Sequence, residues 1–377
     1  MRIAIFGPSK LFLSGISYYT IRLANALSAH AEVKAILFRK MLPKRLFPGW
    51  KRVGENLTRV DFNSKVSVHE ILDWNNPISW IKAYRLAKDC DAVIFQWWTS
   101  SVAHMYFAIE LLNRKKIPII LEFHEVVDPL ENAILPIRAY SRLMGRLVRR
   151  LATHYVVHSQ ADKELISKIY RIPEQRISII PLGLYDHYER IEKAKELLGI
   201  KERFVILFFG LIRPYKGVEY LIEAFEKLPE EILGNSRLLI VGEIWEDKDV
   251  VKKIGDSKLR EKITFINRYV PDEEVSLYFS ASDVLVLPYL RASQSGVAHI
   301  AMSFGLPIIA TKVGGLFESL SNYEGANFVE ANAESIAKAL QRIYEDQRRD
   351  FLAPAELKWE NIAKKWIELI EGLCEHI

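Results

Sequence analysis

Arg213 and Lys216 stand three residues apart in the stretch FFGLIRPYKGVEYLIEAF (208–225), where an apolar run gives way to a turn and then to a segment of helical period. Gly210 and Gly217 frame that turn. Two cations at a strand end beside a helix N-terminus fall where free backbone N–H groups and the helix dipole already favour an anion. The spacing therefore reads as a clamp for a diphosphate, with a solvated basic turn as the simpler alternative. A second stretch, PYLRASQSGVAHIAMSFGLPIIATKVGG (288–315), has the same build. Its strand stops at Pro288, a small polar loop follows, and the first free amides of the next helix belong to Ser295, Gly296 and Val297. Without a Cβ at Gly296 a phosphate could approach the backbone, and Ser295 would add a hydroxyl. An ordinary Ser helix cap explains the same local pattern. The opening segment FGPSKLFLSGISYYTIRLANAL repeats strand, loop and helix with Gly7, Ser14 and Gly15. It is not GxGxxG, it lacks the acidic residue expected about twenty positions on, and no GxxxxGK[ST] loop occurs, which argues against a nicotinamide dehydrogenase or a P-loop enzyme.

These residues need strands to carry them. Apolar runs recur at 2–7, 33–38, 91–96, 117–123, 154–159 and 177–183, with helical segments between most of them. Apolar strands alternating with helices predict a parallel sheet covered on both faces. A second series follows at 204–210, 237–242, 262–267, 283–288 and 306–311. The fold class expected is α/β, with two Rossmann-like domains, 1–183 and 184–354, meeting near the polar stretch 184–203. The final segment, about 355–377, reads as an amphipathic helix entered through Pro354. A length of 377 residues, half of them hydrophobic, is enough for two cores.

Cys90 and Cys374 are too few for a disulfide scaffold or a Cys-based zinc site. The Asp-x-Asp match, Asp247 to Asp249, sits in a charged run and reads as a solvated helix start, so no metal is expected. The net charge of +5 conceals an asymmetry: 27 Lys/Arg against 15 Asp/Glu in residues 1–183, and 25 against 32 in the remainder. The basic half has no helix-turn-helix, zinc-finger or aromatic RNA-binding signature, and no nucleic-acid partner is expected. Arg138, Arg142, Arg146, Arg149 and Arg150 recur at helical spacing, with Leu143, Met144, Leu147 and Leu151 on the other side. A second basic cluster, residues 39–52, includes Phe47 and Trp50. Such surfaces suit an anionic bilayer interface, although solvated faces have the same look. With no spanning segment and RIAIFG directly after Met1, a cytoplasmic location, peripheral at the inner face of the cell membrane, is expected.

GLIRPYKG, ASDVLVLPY followed by its glycine loop, and AMSFGLPIIATKVGGLFE resemble the family 4 (group 1) glycosyltransferases of the GT-B fold, most strongly over 204–318. The resemblance implies two Rossmann-like domains facing across a cleft, with the C-terminal helix returning to the N-terminal domain. It implies a nucleotide-sugar donor, a lipid-linked or saccharide acceptor and no cofactor. Arg213 and Lys216 match the family's diphosphate-binding pair, and Gly15 its N-terminal glycine loop. His124 falls where the family often has a His beside the transferred sugar. Following IPIILEF, Glu125 could orient an acceptor hydroxyl. Gly210, Ser295, Gly296, Val297 and Glu318 complete the donor side. The family's Glu-x7-Glu would fall on Ala292 and Ile300, neither of which is a carboxylate, with Gln294 or His299 as the replacement contacts. His158 and Ser159 are left outside the catalytic set. The implied activity is retaining, metal-independent hexosyl transfer. A GT-B sugar-nucleotide epimerase and an inactive nucleotide-sugar-binding partner are the alternatives.

Overall fold

The computed structural model describes residues 1–12, 14–42, 54, 58, 60–132, 134–245 and 249–375. The second basic cluster beyond Leu42, with Phe47 and Trp50, and the Asp247–Lys248 pair lie outside them. The chain divides into two compact units, one of 1–183 with 356–377 and one of 184–355.

The first unit runs β1 (Arg2–Pro8), α1 (Gly15–Leu27), β2 (Glu32–Lys40), β3 (Val66–Asp73), α2 (Pro77–Ala87), β4 (Ala92–Trp97), α3 (Ala103–Leu112), β5 (Ile119–Phe123), α4 (Leu135–Leu151), β6 (His154–Val157), α5 (Gln160–Tyr170) and β7 (Ile177–Ile179). Its seven parallel strands are ordered β3-β2-β1-β4-β5-β6-β7. One strand more is present than the apolar runs predict. β3 is an edge strand, with only three of its eight residues buried, so it lacks the continuous hydrophobic signature of its neighbours.

The second unit runs α6 (Ala194–Leu197), β8 (Phe204–Phe209), α7 (Val218–Glu226), α8 (Glu230–Gly234), β9 (Ser236–Val241), α9 (Asp249–Asp256), β10 (Ile263–Ile266), α10 (Asp272–Ala281), β11 (Val284–Leu287), α11 (Gly296–Ser303), β12 (Ile308–Thr311), α12 (Gly314–Leu320), β13 (Ala326–Val329) and α13 (Ala333–Asp346). Its parallel order is β10-β9-β8-β11-β12-β13. Here too the strand missing from the sequence reading, β13, is a half-buried edge. Both orders reverse direction beside the first strand of their unit, and ligands of open α/β sheets bind beyond the strand ends at such points.

The last helix, α14 (Trp359–Cys374), belongs to the first unit. Trp359, Ile362, Ala363, Trp366 and Ile370 are buried in the core that α1 shares with β1, β2 and β4. A Cβ on Gly183 would lie 2.4 Å from the Trp359 ring, so only glycine allows the chain to leave the first unit over that indole.

Candidate functional site

In the second unit, close backbone contacts bring the predicted cations to the strand ends. Gly210 and Gly242 have φ of +112° and +152°, and a Cβ on Gly242 would lie 1.9 Å from the Gly210 carbonyl oxygen. The ends of β8 and β9 can meet only because both positions lack a side chain. Gly217, with φ +63°, opens α7, and its missing Cβ leaves room for the Pro288 carbonyl, 2.1 Å from where that Cβ would be. The Leu290 N–H donates to the Tyr215 carbonyl at 2.8 Å. The Pro214–Lys216 turn is thereby fastened to the end of β11.

Lys216 Nζ lies 3.6 Å from the centre of the Tyr289 ring, and the Arg213 guanidinium lies 5.0 Å from that of Trp245. Both cations are half-buried. Among the described residues neither forms an ion pair, and Arg213 Nε has no hydrogen-bond partner. A half-buried cation resting on an aromatic face, with no ion pair among the described residues, retains charge for an anion. Gly210 faces the first turn of α11: a Cβ there would be 3.4 Å from Val297 Cγ2. The first-turn amides of α11, outside the intrahelical ladder, share that end of the sheet with the cations.

Three of the expected donor-side residues have local structural roles here. The Ser295 side chain accepts the Ala298 N–H at 3.4 Å and is buried, so its oxygen serves as the helix cap while its O–H hydrogen is still available to donate. Gly296 has a packing reason to be small, besides the anion approach expected of it. A Cβ there would meet the Tyr185 phenol at 3.2–3.3 Å. His299 is fully buried on α11. Gln294 Nε2 donates to the Gly315 carbonyl at 3.4 Å, tying the loop to α12, where Glu318 is half-buried. Gly296→Val should therefore displace Tyr185 and lower the thermal midpoint along with nucleoside-diphosphate affinity. Adding Tyr185→Ala should restore part of the midpoint, and no recovery would contradict the packing account. Ser295→Ala should cost about 1 kcal/mol of stability, as cap removals do.

The first unit holds a buried polar chain that the sequence reading missed. Tyr19 on α1 donates to Glu122 Oε1, and Gln96 Nε2 at the end of β4 lies 2.6 Å from Glu122 Oε2. His124 Nε2 meets Gln96 Oε1, and His124 Nδ1 lies 3.3 Å from His158 Nε2. His158 Nδ1 is 2.9 Å from the Ile180 carbonyl oxygen. Glu122 and Gln96 are fully buried, and the His124 side chain is 7% exposed. Burial pushes the Glu122 carboxyl up to about 8, against hydrogen bonds from Tyr19 and Gln96 that pull it down. Burial holds His158 down to about 4, and burial with the neighbouring His158 holds His124 well below the ordinary imidazole value. Both ring nitrogens of His124 have protein partners. Glu125 is exposed on the loop after β5, and Gly15 is the exposed first residue of α1, capped by Ser14.

On α4, Arg142, Arg146 and Arg150 are exposed beside exposed Leu135, Leu143 and Leu151, and Arg138 is half-buried. Arg149 leaves that basic face: its guanidinium stacks 3.7 Å above the Tyr170 ring and burial lowers its pKa. Among the described residues no helix is long and apolar enough to cross a membrane.

Residues 13–186 match the family model Glycosyltransferase Family 4, and residues 189–366 match Glycosyl transferases group 1. The chain belongs to the family 4, group 1 glycosyltransferases. This glycosyltransferase is 28% identical over 237 residues to an uncharacterized glycosyltransferase of Methanocaldococcus jannaschii, a match spanning 58% of this chain and 59% of that one. It is 25% identical over 337 residues to the alpha-monoglucosyldiacylglycerol synthase of Acholeplasma laidlawii, covering 82% of this chain and 80% of that one. Its fold matches the crystal structure of Anabaena HepE in complex with UDP-glucose with a TM-score of 0.66, at 17% identity and over 100% and 98% of the two chains. At the two positions where the family's Glu-x7-Glu would fall, the glycosyltransferase has a half-buried alanine and a buried isoleucine. The Ala292 carbonyl lies 2.3 Å from where a Cβ on Gly314 would be, and Ile300 is buried.

Proposed function

We propose that the chain transfers a hexose from a nucleotide-diphosphate sugar to a lipid-linked or polysaccharide acceptor, with retention and without a metal, at the cytoplasmic face of a membrane. The observation that carries this reading is the pair Arg213 and Lys216, brought to one strand end with no carboxylate partner among the described residues. A nucleoside diphosphate leaves readily once its growing charge is met, and fixed cations with helix-start amides supply that as preorganised electrostatics. HepE in complex with UDP-glucose supports a uridine nucleotide as the first donor to try. The Acholeplasma relative, named for making alpha-monoglucosyldiacylglycerol, supports a lipid acceptor. The exposed arginines and leucines of α4 fit an anionic bilayer surface.

A thermal-shift screen against UDP-, GDP-, ADP- and TDP-sugars, followed by transfer assays with diacylglycerol vesicles and soluble saccharides in excess EDTA, tests the reading. One nucleotide class should raise the midpoint and support transfer with no divalent ion present. Loss of transfer on chelation, restored by Mn²⁺, would overturn metal independence. Binding without transfer or donor hydrolysis would favour the inactive binding partner, in keeping with the residues at 292 and 300.

A further inference from the structure

The buried chain in the first unit can be read proton by proton. The Ile180 carbonyl only accepts, so the hydrogen of its contact sits on His158 Nδ1. If His158 is neutral, its Nε2 is then a bare acceptor, and the hydrogen between the two rings sits on His124 Nδ1. A neutral His124 then presents a bare Nε2, so Gln96 must turn its NH₂ toward it and its carbonyl toward Glu122. Two carbonyl-type oxygens cannot bond without a proton, so Glu122 must be a carboxylic acid donating to Gln96, while its other oxygen accepts from Tyr19. The opposite arrangement is equally strict. An ionised Glu122 draws the Gln96 NH₂, the Gln96 carbonyl draws a hydrogen from His124 Nε2, and the contact between the rings then requires one of them to be an imidazolium.

Both complete arrangements hold the same total, one proton more than a carboxylate with two neutral imidazoles. They interconvert when that proton moves between Glu122 and the histidine pair and the Gln96 amide turns over. We infer that Glu122 holds this proton at rest and acts, through Gln96, as the positioning residue that sets which nitrogen of His124 is protonated. A site that excludes water favours the arrangement without separated charge, since ions lose more than neutral groups on burial. The directions in which burial moves the three groups agree with it. The titratable groups facing Glu122 are Tyr19 from α1, His124 after β5 and His158 after β6; α14 presents the Trp359 ring, 5.5 Å from that of Tyr19, with Arg22 of α1 stacked on that indole. The rival occupant is a divalent cation, because one ligating atom from each of Glu122, His124 and His158 lies within 4.8 Å of the others. The inference goes beyond the transfer reading and stands or falls separately from it.

Ring ¹⁵N resonances of the full-length protein, assigned with His124→Gln and His158→Gln, test it. At pH 7 both rings should be neutral and protonated at Nδ1. Glu122→Gln copies the protonated acid, with an amide donor toward Gln96 and a carbonyl toward Tyr19. It should leave both tautomers unchanged while removing one carboxylic-acid band from the infrared spectrum. An imidazolium at pH 7, a tautomer switch in a folded Glu122→Gln variant, or a divalent metal co-purifying at one equivalent would each overturn the inference. If Glu122→Gln does not fold, the wild-type resonances and metal content decide it alone.

Discussion

Arg213→Ala and Lys216→Ala should each lower sugar transfer by roughly two to three orders of magnitude while leaving the thermal midpoint nearly unchanged. The size follows from comparable losses of one preorganised donor, about 2.7 to 4 kcal/mol. The fold should tolerate the changes because neither side chain contributes an ion pair among the described residues and both are half-buried at a strand end. What each loses within the protein is contact with aromatic faces, Trp245 for Arg213, and Tyr289 with the more distant Tyr215 for Lys216. Such contacts are worth about 0.5 to 1 kcal/mol at partly exposed sites. Lys216→Arg is the informative companion. It retains the charge but replaces a compact ammonium with a planar fork that must fit over Tyr289, so an intermediate loss is expected. Initial rates with the nucleotide sugar found by screening, alongside calorimetric titration of the free nucleoside diphosphate and the bare nucleoside, make the comparison. A clamp acts on the diphosphate, so affinity for it should fall while nucleoside affinity holds. Wild-type turnover in both alanine variants would remove the clamp from the mechanism.

The placement of the two cations was legible in the sequence because a strand, a turn and a helix in immediate succession put the turn residues at the strand's carboxyl end. No long-range knowledge is needed to put Arg213 and Lys216 there. The central strands were legible for a related reason: β1, β4, β8 and β11 are covered on both faces and show as unbroken apolar runs. β3 and β13 did not show: both are edge strands with few buried residues and no unbroken apolar run, whereas the edge strands β7 and β10 kept readable ones. What local pattern could not supply is which distant side chains meet. Tyr185 lies 111 positions before Gly296, and nothing near either residue announces the packing that makes a glycine necessary. The Glu122 chain draws on residues from 19 to 180. It did leave a trace: Gln96 and Glu122 are polar residues near the ends of two apolar strands that the expected order makes neighbours, and they face each other in the β4–β5 register. A polar residue at the same height in adjacent buried parallel strands is the signal that would have found the pair.

Stability should peak near pH 6 and fall as the pH rises toward 9. Two buried carboxyls of the first unit drive the fall. Glu122 titrates at about 8, and Glu110 on α3, buried with neither oxygen bonded among the described residues, is pushed up by burial to about 9. In the unfolded chain both titrate near 4.5. Between the unfolded and folded values the native state holds protons that the unfolded state has released. Stability is therefore complete below about 4.5 and is lost with a slope approaching 1.4 kcal/mol per pH unit for each carboxyl until its folded value is passed. The histidines oppose this on the acid side. His154 and His158 are held down to about 4, and His124 is also lowered, so the unfolded chain gains protons below about 6.5 that the folded chain refuses. Above that pH only the carboxyl slope remains. Glu110→Met should raise the midpoint at pH 8.5 by several degrees, because it replaces an unbonded buried acid with an apolar chain of similar length. Glu122→Gln should flatten the remaining slope without removing a hydrogen-bond partner. Circular-dichroism melts of the wild type, both single variants and the double variant at pH 6.5 and 8.5 separate the contributions. An equal midpoint for the wild type at the two pH values would mean that neither carboxyl keeps its proton in the folded protein.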